Sequence, residues 1–119
     1  MAYGGDEITK QATKLFQELC DTDVDVLFTF NGTGSNIVAL GSLLRSAESV
    51  LCSEWAHIHV DETGAPEHIL GIKLQDVVSP DAKVTPAHII SASSALGNVH
   101  HVQPGVVSIT QATELGTVY

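Results

Sequence analysis

The sequence predicts an α/β fold with a mostly parallel sheet and flanking helices. Short runs of β-branched and apolar residues alternate along the chain with segments whose apolar residues recur at helical spacing. This alternation is typical of βαβ units, in which right-handed crossovers place helices over a parallel sheet. The 119 residues and an apolar fraction of 44% suffice for one core, so we expect one globular domain.

Composition and charge exclude several classes of protein. The basic residues are few and scattered and the net charge is −9, so no positive stripe is available for a nucleic-acid backbone. No window reaches the roughly 18 apolar residues of a membrane-spanning helix, and the chain does not start like a secretory signal. Cys20 and Cys52 lie in apolar patterns without paired spacing, which indicates buried thiols in a reducing compartment. We therefore expect a cytoplasmic protein with no nucleic-acid or membrane partner.

The first half of the chain predicts a helix, a strand and a second helix. Apolar residues recur on one helical face over Asp6–Cys20. The apolar run Val24–Phe30 is typical of a parallel strand covered on both faces. A glycine-rich turn, Asn31–Asn36, then leads into a helical period over Ile37–Ala47. Strand, turn and helix together are half of a βαβ unit.

The second half predicts three strands and one helix. The strands are expected at Ser49–Ser53, Leu70–Val78 and Val106–Thr110. Thr85 as a cap and Pro86 at the first helical position predict a helix that ends near Gly97. This helix is expected to bury Ile89, Ile90, Ala92 and Leu96.

The turn Asn31–Asn36 is the strongest local candidate for chemistry. Gly32 and Gly34 would let the backbone approach a ligand closely, and the first amides of the next helix would bind an anion such as phosphate. The alternative is a tight turn that only needs positive φ at its glycines. The spacing matches neither the glycine pattern of dinucleotide-binding proteins nor the lysine-containing P-loop.

A polar cluster after the strand Ser49–Ser53 is the second candidate. Its members are Glu54, His57, His59, Asp61 and Glu62. Ligands bind outside the carboxyl ends of parallel strands, so we expect the cluster and the glycine turn to face one crevice. His57 and His59 with a carboxylate could instead bind zinc, iron or manganese. Taken singly, each member is better explained as a solvated surface side chain.

The other histidines are weaker candidates. His100 and His101 are adjacent on a predicted loop, so at most one of them is expected to join a site. His68 and His88 lie in helical or turn contexts, where a solvated or capping role is expected.

Four short motifs give the chain a family resemblance. They are Tyr3–Asp6, Phe30–Asn36, Ala56–Ile58 with Glu62–Ala65, and Thr113–Tyr119. In this order and spacing they resemble the low-specificity threonine aldolases, pyridoxal-phosphate-dependent enzymes of the β-eliminating lyase group with the fold type I architecture. The resemblance covers the whole chain and implies that residues 1–119 are part of the large, cofactor-binding domain of that fold.

The resemblance also implies roles for individual residues. The cofactor phosphate would lie on Gly32, Thr33 and Gly34, in agreement with the anion-binding interpretation of the turn. His57 would stack on the pyridine ring and, as a catalytic residue, help to move the proton of the substrate's side-chain hydroxyl. Tyr3 would reach the active site of a neighbouring subunit, so a homo-oligomer or a complementing chain is expected.

The family's lysine is not matched in this chain. Such an aldolase needs a lysine that holds the cofactor as a Schiff base and an aspartate that keeps the ring nitrogen protonated. In the family both follow the last of the four motifs, and none of Lys10, Lys14, Lys73 and Lys83 matches the lysine's position. We therefore expect an internal fragment, inactive alone, of an enzyme that cleaves threonine or allo-threonine into glycine and an aldehyde.

Two other functions remain open at this point. One is a small metal-dependent domain that uses His57, His59 and a carboxylate, which metal analysis would reveal. The other is a non-catalytic module in which an unpaired sheet edge and uncovered helix faces cause self-association, which sedimentation would reveal.

Overall fold

The structure is a computed structural model that describes residues 4–119. Its helices are α1 (Glu7–Cys20), α2 (Gly32–Leu43), α3 (His57–Val60), α4 (Ala65–Leu70) and α5 (Pro86–Ser93), and its strands are β1 (Glu48–Ser53), β2 (Lys73–Val77) and β3 (Gln103–Val107). The strands form one sheet in the order β2-β1-β3, and both pairings are parallel. The predicted α/β fold with a parallel sheet is therefore confirmed. Within residues 4–119, every helix is too short or too polar to span a bilayer.

The central strand β1 organises the core. Ser49–Ser53 are all buried, as expected of a parallel strand covered on both faces. Val50 pairs with Leu74 of β2 and with Val106 of β3. The cluster around it is completed by side chains of α2, α3 and the residues between β1 and β2, namely Leu40, Ala56, Ile58 and Ile72.

This core is smaller than the composition led us to expect. The radius of gyration is 16.7 Å, whereas a compact domain of this length has about 13.5 Å. The predicted first helix is confirmed as α1, with Asp6 as its N-cap, but α1 buries none of its residues. Its apolar face, including Ile8 at 79% exposure and Leu19 at 80%, stays open to solvent. Cys20 is exposed too, so the prediction of a buried thiol is confirmed only for Cys52.

The predicted strand Val24–Phe30 is wrong for the part of the chain that the structure describes. The segment pairs with none of the described strands, and Leu27 and Phe30 are 71% and 92% exposed. It is instead held to α1, where the rings of Phe16 and Phe28 meet edge to face at 6.4 Å between centroids. Apolar and β-branched composition creates a preference for a strand, but a strand forms only where a neighbour supplies hydrogen bonds.

The last helix differs from its prediction in length and burial. Thr85 caps α5 and Pro86 is its first residue, as predicted, but α5 ends at Ser93 rather than near Gly97. None of its residues is buried, and Ile90 is 73% exposed, so the expected burial of its apolar side chains is wrong. The helix packs mainly against β3, the edge strand, and one edge strand is too narrow to cover an apolar helical face.

The strand β3, Gln103–Val107, begins and ends three residues earlier than the predicted Val106–Thr110, and it contains a bulge. Pro104 lies opposite Ser49 and Val106 opposite Val50, so Gly105 is an extra residue in the ladder. A Cβ at Gly105 would lie 2.5 Å from Cδ2 of Leu44, which makes glycine the residue that fits this bulge. The short helices α3 and α4 were not predicted, because four and six residues are too few to display a helical period.

Candidate active site

The glycine turn is the first turn of α2 rather than a loop before it. Asn31 is the N-cap, and its Oδ1 accepts a hydrogen bond from the amide of Gly34 at 2.7 Å. The helix therefore begins at Gly32, earlier than the predicted Ile37. Neither Gly32 nor Gly34 has a positive φ, so the alternative of a tight turn that needs such angles is wrong.

Gly32 and Gly34 have no side chain, and each affects this helix end in a different way. A Cβ at Gly32 would meet nothing within 4 Å, so the backbone is open to an approaching ligand there. A Cβ at Gly34 would lie 3.2 Å from Oδ1 of Asn31 and would press on the capping side chain. The two glycines thus have different uses, one for access and one for the cap.

Two amides at the start of α2 are free to bind a ligand. Gly34 donates to the cap and Ser35 donates to the carbonyl of Asn31 at 3.1 Å, whereas the amides of Gly32 and Thr33 have no acceptor among residues 4–119. The first turn of α2 carries no acidic side chain that would compete with an anion for the positive end of the helix dipole. This end of α2 can bind an anion such as a phosphate group.

A groove of about 600 Å³ lies beside these amides. Its walls include Phe28 and Phe30 before the helix, Ile37 on the helix and Ile69 on α4. Apolar walls with a few polar groups at one end are typical of small-molecule sites.

His57 lies beyond the carboxyl end of β1, as the first residue of α3. Its Nδ1 is 2.9 Å from Oε1 of Glu62, and its side chain is 48% exposed while that of Glu62 is fully buried. The hydrogen bond to Glu62 raises the pKa of His57, burial lowers it somewhat, and the charges of Glu62, Asp61 and Glu114 raise it further. His57 therefore presents a half-exposed imidazole with Nδ1 already bound.

Glu62 joins His57 to the helix that starts at the glycine turn. The same Oε1 that meets His57 accepts a hydrogen bond from Nδ2 of Asn36, which lies on α2, at 2.6 Å. The other oxygen, Oε2, is buried and has no hydrogen-bond partner among the described residues. The structure thus brings the glycine turn and part of the polar cluster together. The groove itself is lined by residues other than His57.

The remaining members of the cluster do not join this arrangement. Glu54 accepts a hydrogen bond from the amide of Ser79 at 2.9 Å, which fixes a turn. His57 and His59 are two positions apart on α3, so their side chains point to nearly opposite sides. Among residues 4–119 no three His, Cys, Asp or Glu side chains form a set that could bind a metal ion. The alternative metal site built on His57 and His59 is therefore wrong.

The other sequence candidates have local roles or lie elsewhere. His88 completes a capping box with Thr85, which confirms the predicted capping role. His68, His100 and His101 are exposed. Tyr3 lies outside the described residues, so its predicted role stays a prediction.

Sequence reasoning missed the part that Asn36 plays and placed Glu62 only within a cluster. The two side chains that form this contact are 26 positions apart in the chain. A helical wheel drawn from the N-cap Asn31 would have placed Asn36 one turn after Gly32 and on the same face. No local signal relates that face to Glu62.

Comparisons with known proteins agree on one family. Residues 1–119 match the family described as "Beta-eliminating lyase". The chain is 48% identical to the "Low specificity L-threonine aldolase" of Pseudomonas sp. (strain NCIMB 10558) and 46% identical to that of Pseudomonas aeruginosa, in each case over 99% of this chain and 34% of the relative. A structure of Leishmania major threonine aldolase superposes with a TM-score of 0.89 at 38% identity, over 98% of this chain and 34% of that one. The chain thus spans about a third of the length of the relatives it matches.

Proposed function

Because this chain belongs to the β-eliminating lyase family, we propose that it is the part of a pyridoxal-phosphate-dependent aldolase that binds the cofactor phosphate and presents His57. The substrates are β-hydroxy-α-amino acids such as threonine and allo-threonine, which the whole enzyme cleaves into glycine and an aldehyde. The observation that carries this proposal is the joining of a phosphate-binding helix end to a half-exposed histidine through Glu62.

The residues at the start of α2 fit the phosphate group. Gly32 and Thr33 offer two free amides, and Gly34 contributes by its missing side chain because its own amide is bound to Asn31. No acidic residue in that first turn opposes the anion. Phosphate binding at this place therefore needs no rearrangement of the helix end.

His57 would act on the ring and on the substrate. Its flat imidazole stacks on an aromatic ring, and its Nε2 takes the proton when the O–H bond of the substrate's side-chain hydroxyl breaks and the aldehyde carbonyl forms. The bound cofactor supplies an electron-poor ring that accepts the electron pair of the breaking carbon–carbon bond. Because Nδ1 is engaged with Glu62, only Nε2 is left for the substrate.

We propose further that these 119 residues alone do not turn over threonine. Lys10 and Lys14 pair with glutamates on the exposed surface of α1. Lys83 donates to the carbonyl of Val118, and Lys73 is exposed on β2. None of these lysines matches the family's cofactor lysine, so cofactor binding by the chain alone would depend on the phosphate and on ring stacking.

Trp55 provides a direct test of cofactor binding. It is the single tryptophan, half exposed and two positions before His57, so bound pyridoxal phosphate is expected to quench its fluorescence. We expect saturable quenching that inorganic phosphate competes away and that pyridoxal without phosphate does not reproduce.

His57→Ala is expected to weaken binding several-fold through lost stacking, while His59→Ala, on the same helix, is the matched control and is expected to have no effect. Equal binding of pyridoxal would contradict the phosphate site, and acetaldehyde release from threonine by this chain would contradict the proposed inactivity.

The whole enzyme is proposed to be a cytoplasmic homo-oligomer, or to be completed by another chain. Cys20 and Cys52 are both free thiols. Several large apolar side chains of α1 and the following segment are exposed, namely Ile8, Leu15, Leu19, Leu27 and Phe30. Sedimentation is expected to show self-association of this chain, and a monodisperse monomer at high concentration would argue against it.

A further inference from the structure

The buried carboxylate of Glu62 contacts both segments that form the proposed site. Its side chain is fully buried, and one oxygen, Oε1, accepts a hydrogen bond from Nδ2 of Asn36 at 2.6 Å and lies 2.9 Å from Nδ1 of His57. Burying a carboxylate costs free energy unless donors compensate it. The two partners of this oxygen, Asn36 and His57, come from the two segments that form the proposed site.

These contacts determine which nitrogen of His57 carries a proton. An ionised carboxylate only accepts hydrogen bonds, so the nitrogen that faces Glu62 must be the donor. In the neutral ring that leaves Nε2 with its lone pair free. The half-exposed position of His57 leaves this nitrogen accessible to a ligand.

The contacts also relate the histidine to the anion-binding end of α2. Asn36 lies four positions after Gly32, on the same face of the helix. One carboxylate oxygen therefore connects the face that bears the free amide of Gly32 with the imidazole of His57. Two contacts to a single oxygen, Oε1 of Glu62, restrict Asn36 and His57 to one relative arrangement.

We propose that Glu62 is the positioning residue of the site. Through Nδ1 of His57 and through Asn36 it fixes the tautomer and orientation of the imidazole relative to the start of α2. This inference rests on the proposed function only for what Nε2 then does, namely accept the proton of the substrate hydroxyl. Within residues 4–119, the charged groups that act on the pKa of His57 are Glu62, Asp61 and Glu114, and all three are acidic.

The test measures the histidine without any cofactor. In the 119-residue chain labelled with ¹⁵N-histidine, the ring nitrogen shifts report the tautomer and their pH dependence reports the pKa, with His57 assigned by its loss in His57→Gln. We expect the neutral ring of His57 to be protonated at Nδ1. Finding the proton of the wild-type ring at Nε2 would overturn the proposal with no variant needed.

Matched variants separate positioning from charge. Glu62→Gln removes the charge but keeps an oxygen that can accept from Nδ1, so we expect the pKa of His57 to fall while the Nδ1-protonated tautomer survives. Glu62→Ala is expected to abolish the tautomer preference. Asp61→Asn removes an equal charge one position away, without a hydrogen bond, and is expected to shift the pKa less than Glu62→Gln. Unchanged ring shifts in folded Glu62→Ala would overturn the proposal, whereas failure of pyridoxal phosphate to quench Trp55 would contradict only the proposed function.

Discussion

Replacing Asn31 by aspartate is expected to strengthen α2 and to weaken phosphate binding at the same time. Aspartate keeps an oxygen for the amide of Gly34, which now lies 2.7 Å from Oδ1 of Asn31, so the cap is retained. A negative charge at a helix N-terminus adds about 0.3–1 kcal/mol of stability at low ionic strength. Asn31→Asp should therefore raise the free energy of unfolding by up to about 1 kcal/mol.

The same charge repels a phosphate held by the free amides of Gly32 and Thr33. Two unit charges about 5 Å apart in water interact by about 0.8 kcal/mol. A phosphate ester carries about −1.5 to −2 charges near neutral pH. The repulsion is then about 1.5 kcal/mol, which corresponds to a roughly tenfold weaker Kd for pyridoxal phosphate.

Two measurements on Asn31→Asp check that stability rises while affinity for pyridoxal phosphate falls. Urea unfolding followed by circular dichroism gives the stability, and quenching of Trp55 gives the Kd for pyridoxal phosphate. Asn31→Ser, which caps as well but adds no charge, is the matched control and is expected to leave both values near wild type. The loss of affinity in Asn31→Asp should shrink in high salt, because exposed charges are screened. Unchanged affinity in a folded Asn31→Asp chain would refute phosphate binding at this helix end.

Three further predictions concern the core, pH and the thiols. Val50→Ala, in the fully buried centre of β1, is expected to lower the free energy of unfolding by about 2 kcal/mol through lost burial and a cavity, while exposed Val78→Ala changes it by less than about 0.5 kcal/mol. Because the folded-state pKa of His57 is raised above 6.5, its stabilising contribution is complete below pH 6.5 and is lost as the pH rises through the raised pKa. This loss is expected to be absent from His57→Gln in unfolding curves taken across that range. Burial, with smaller effects of nearby carboxylates, raises the pKa of Cys52 to about 12, so a thiol reagent at pH 8 is expected to modify only Cys20 in the native chain and both cysteines in denaturant.

Each of these predictions has an outcome that contradicts it. Equal effects of the two valine substitutions would show that β1 is not the centre of a packed core. If the free energy of unfolding had the same pH dependence in wild type and in His57→Gln, the ion pair between His57 and Glu62 could not be the cause of that dependence. Rapid modification of Cys52 in the native chain would mean that the core opens readily.

Interactions between residues close in sequence account for what the sequence predicted correctly. The helical period of α1 and the cap Thr85 at the start of α5 depend on contacts within about four positions. The strand β1 was predicted from the short local run Ser49–Ser53, whereas its burial on both faces became visible only in the packed sheet. The motif around His57 was recognisable for the same reason, since its residues lie within one short stretch.

Long-range contacts account for what the sequence left open or predicted wrongly. The run 24–30 has the composition of a strand, but pairing with another strand decides whether it becomes one, and no described strand pairs with it. Cys20 ends an amphipathic pattern, but it is exposed because α1 buries none of its residues.

The candidate site also combines features that are visible in the sequence with a contact that is visible only in the tertiary structure. Glycines, a cap and a nearby histidine were visible along the chain, and they indicated which chemistry to expect. The link between them is a hydrogen-bond chain from Asn36 through Glu62 to His57, which spans 26 positions and exists only when α2 packs beside the segment after β1. Periodicity and capping rules reach no further than one or two helical turns, so only the packed structure could show that a single buried carboxylate connects the two halves of the site.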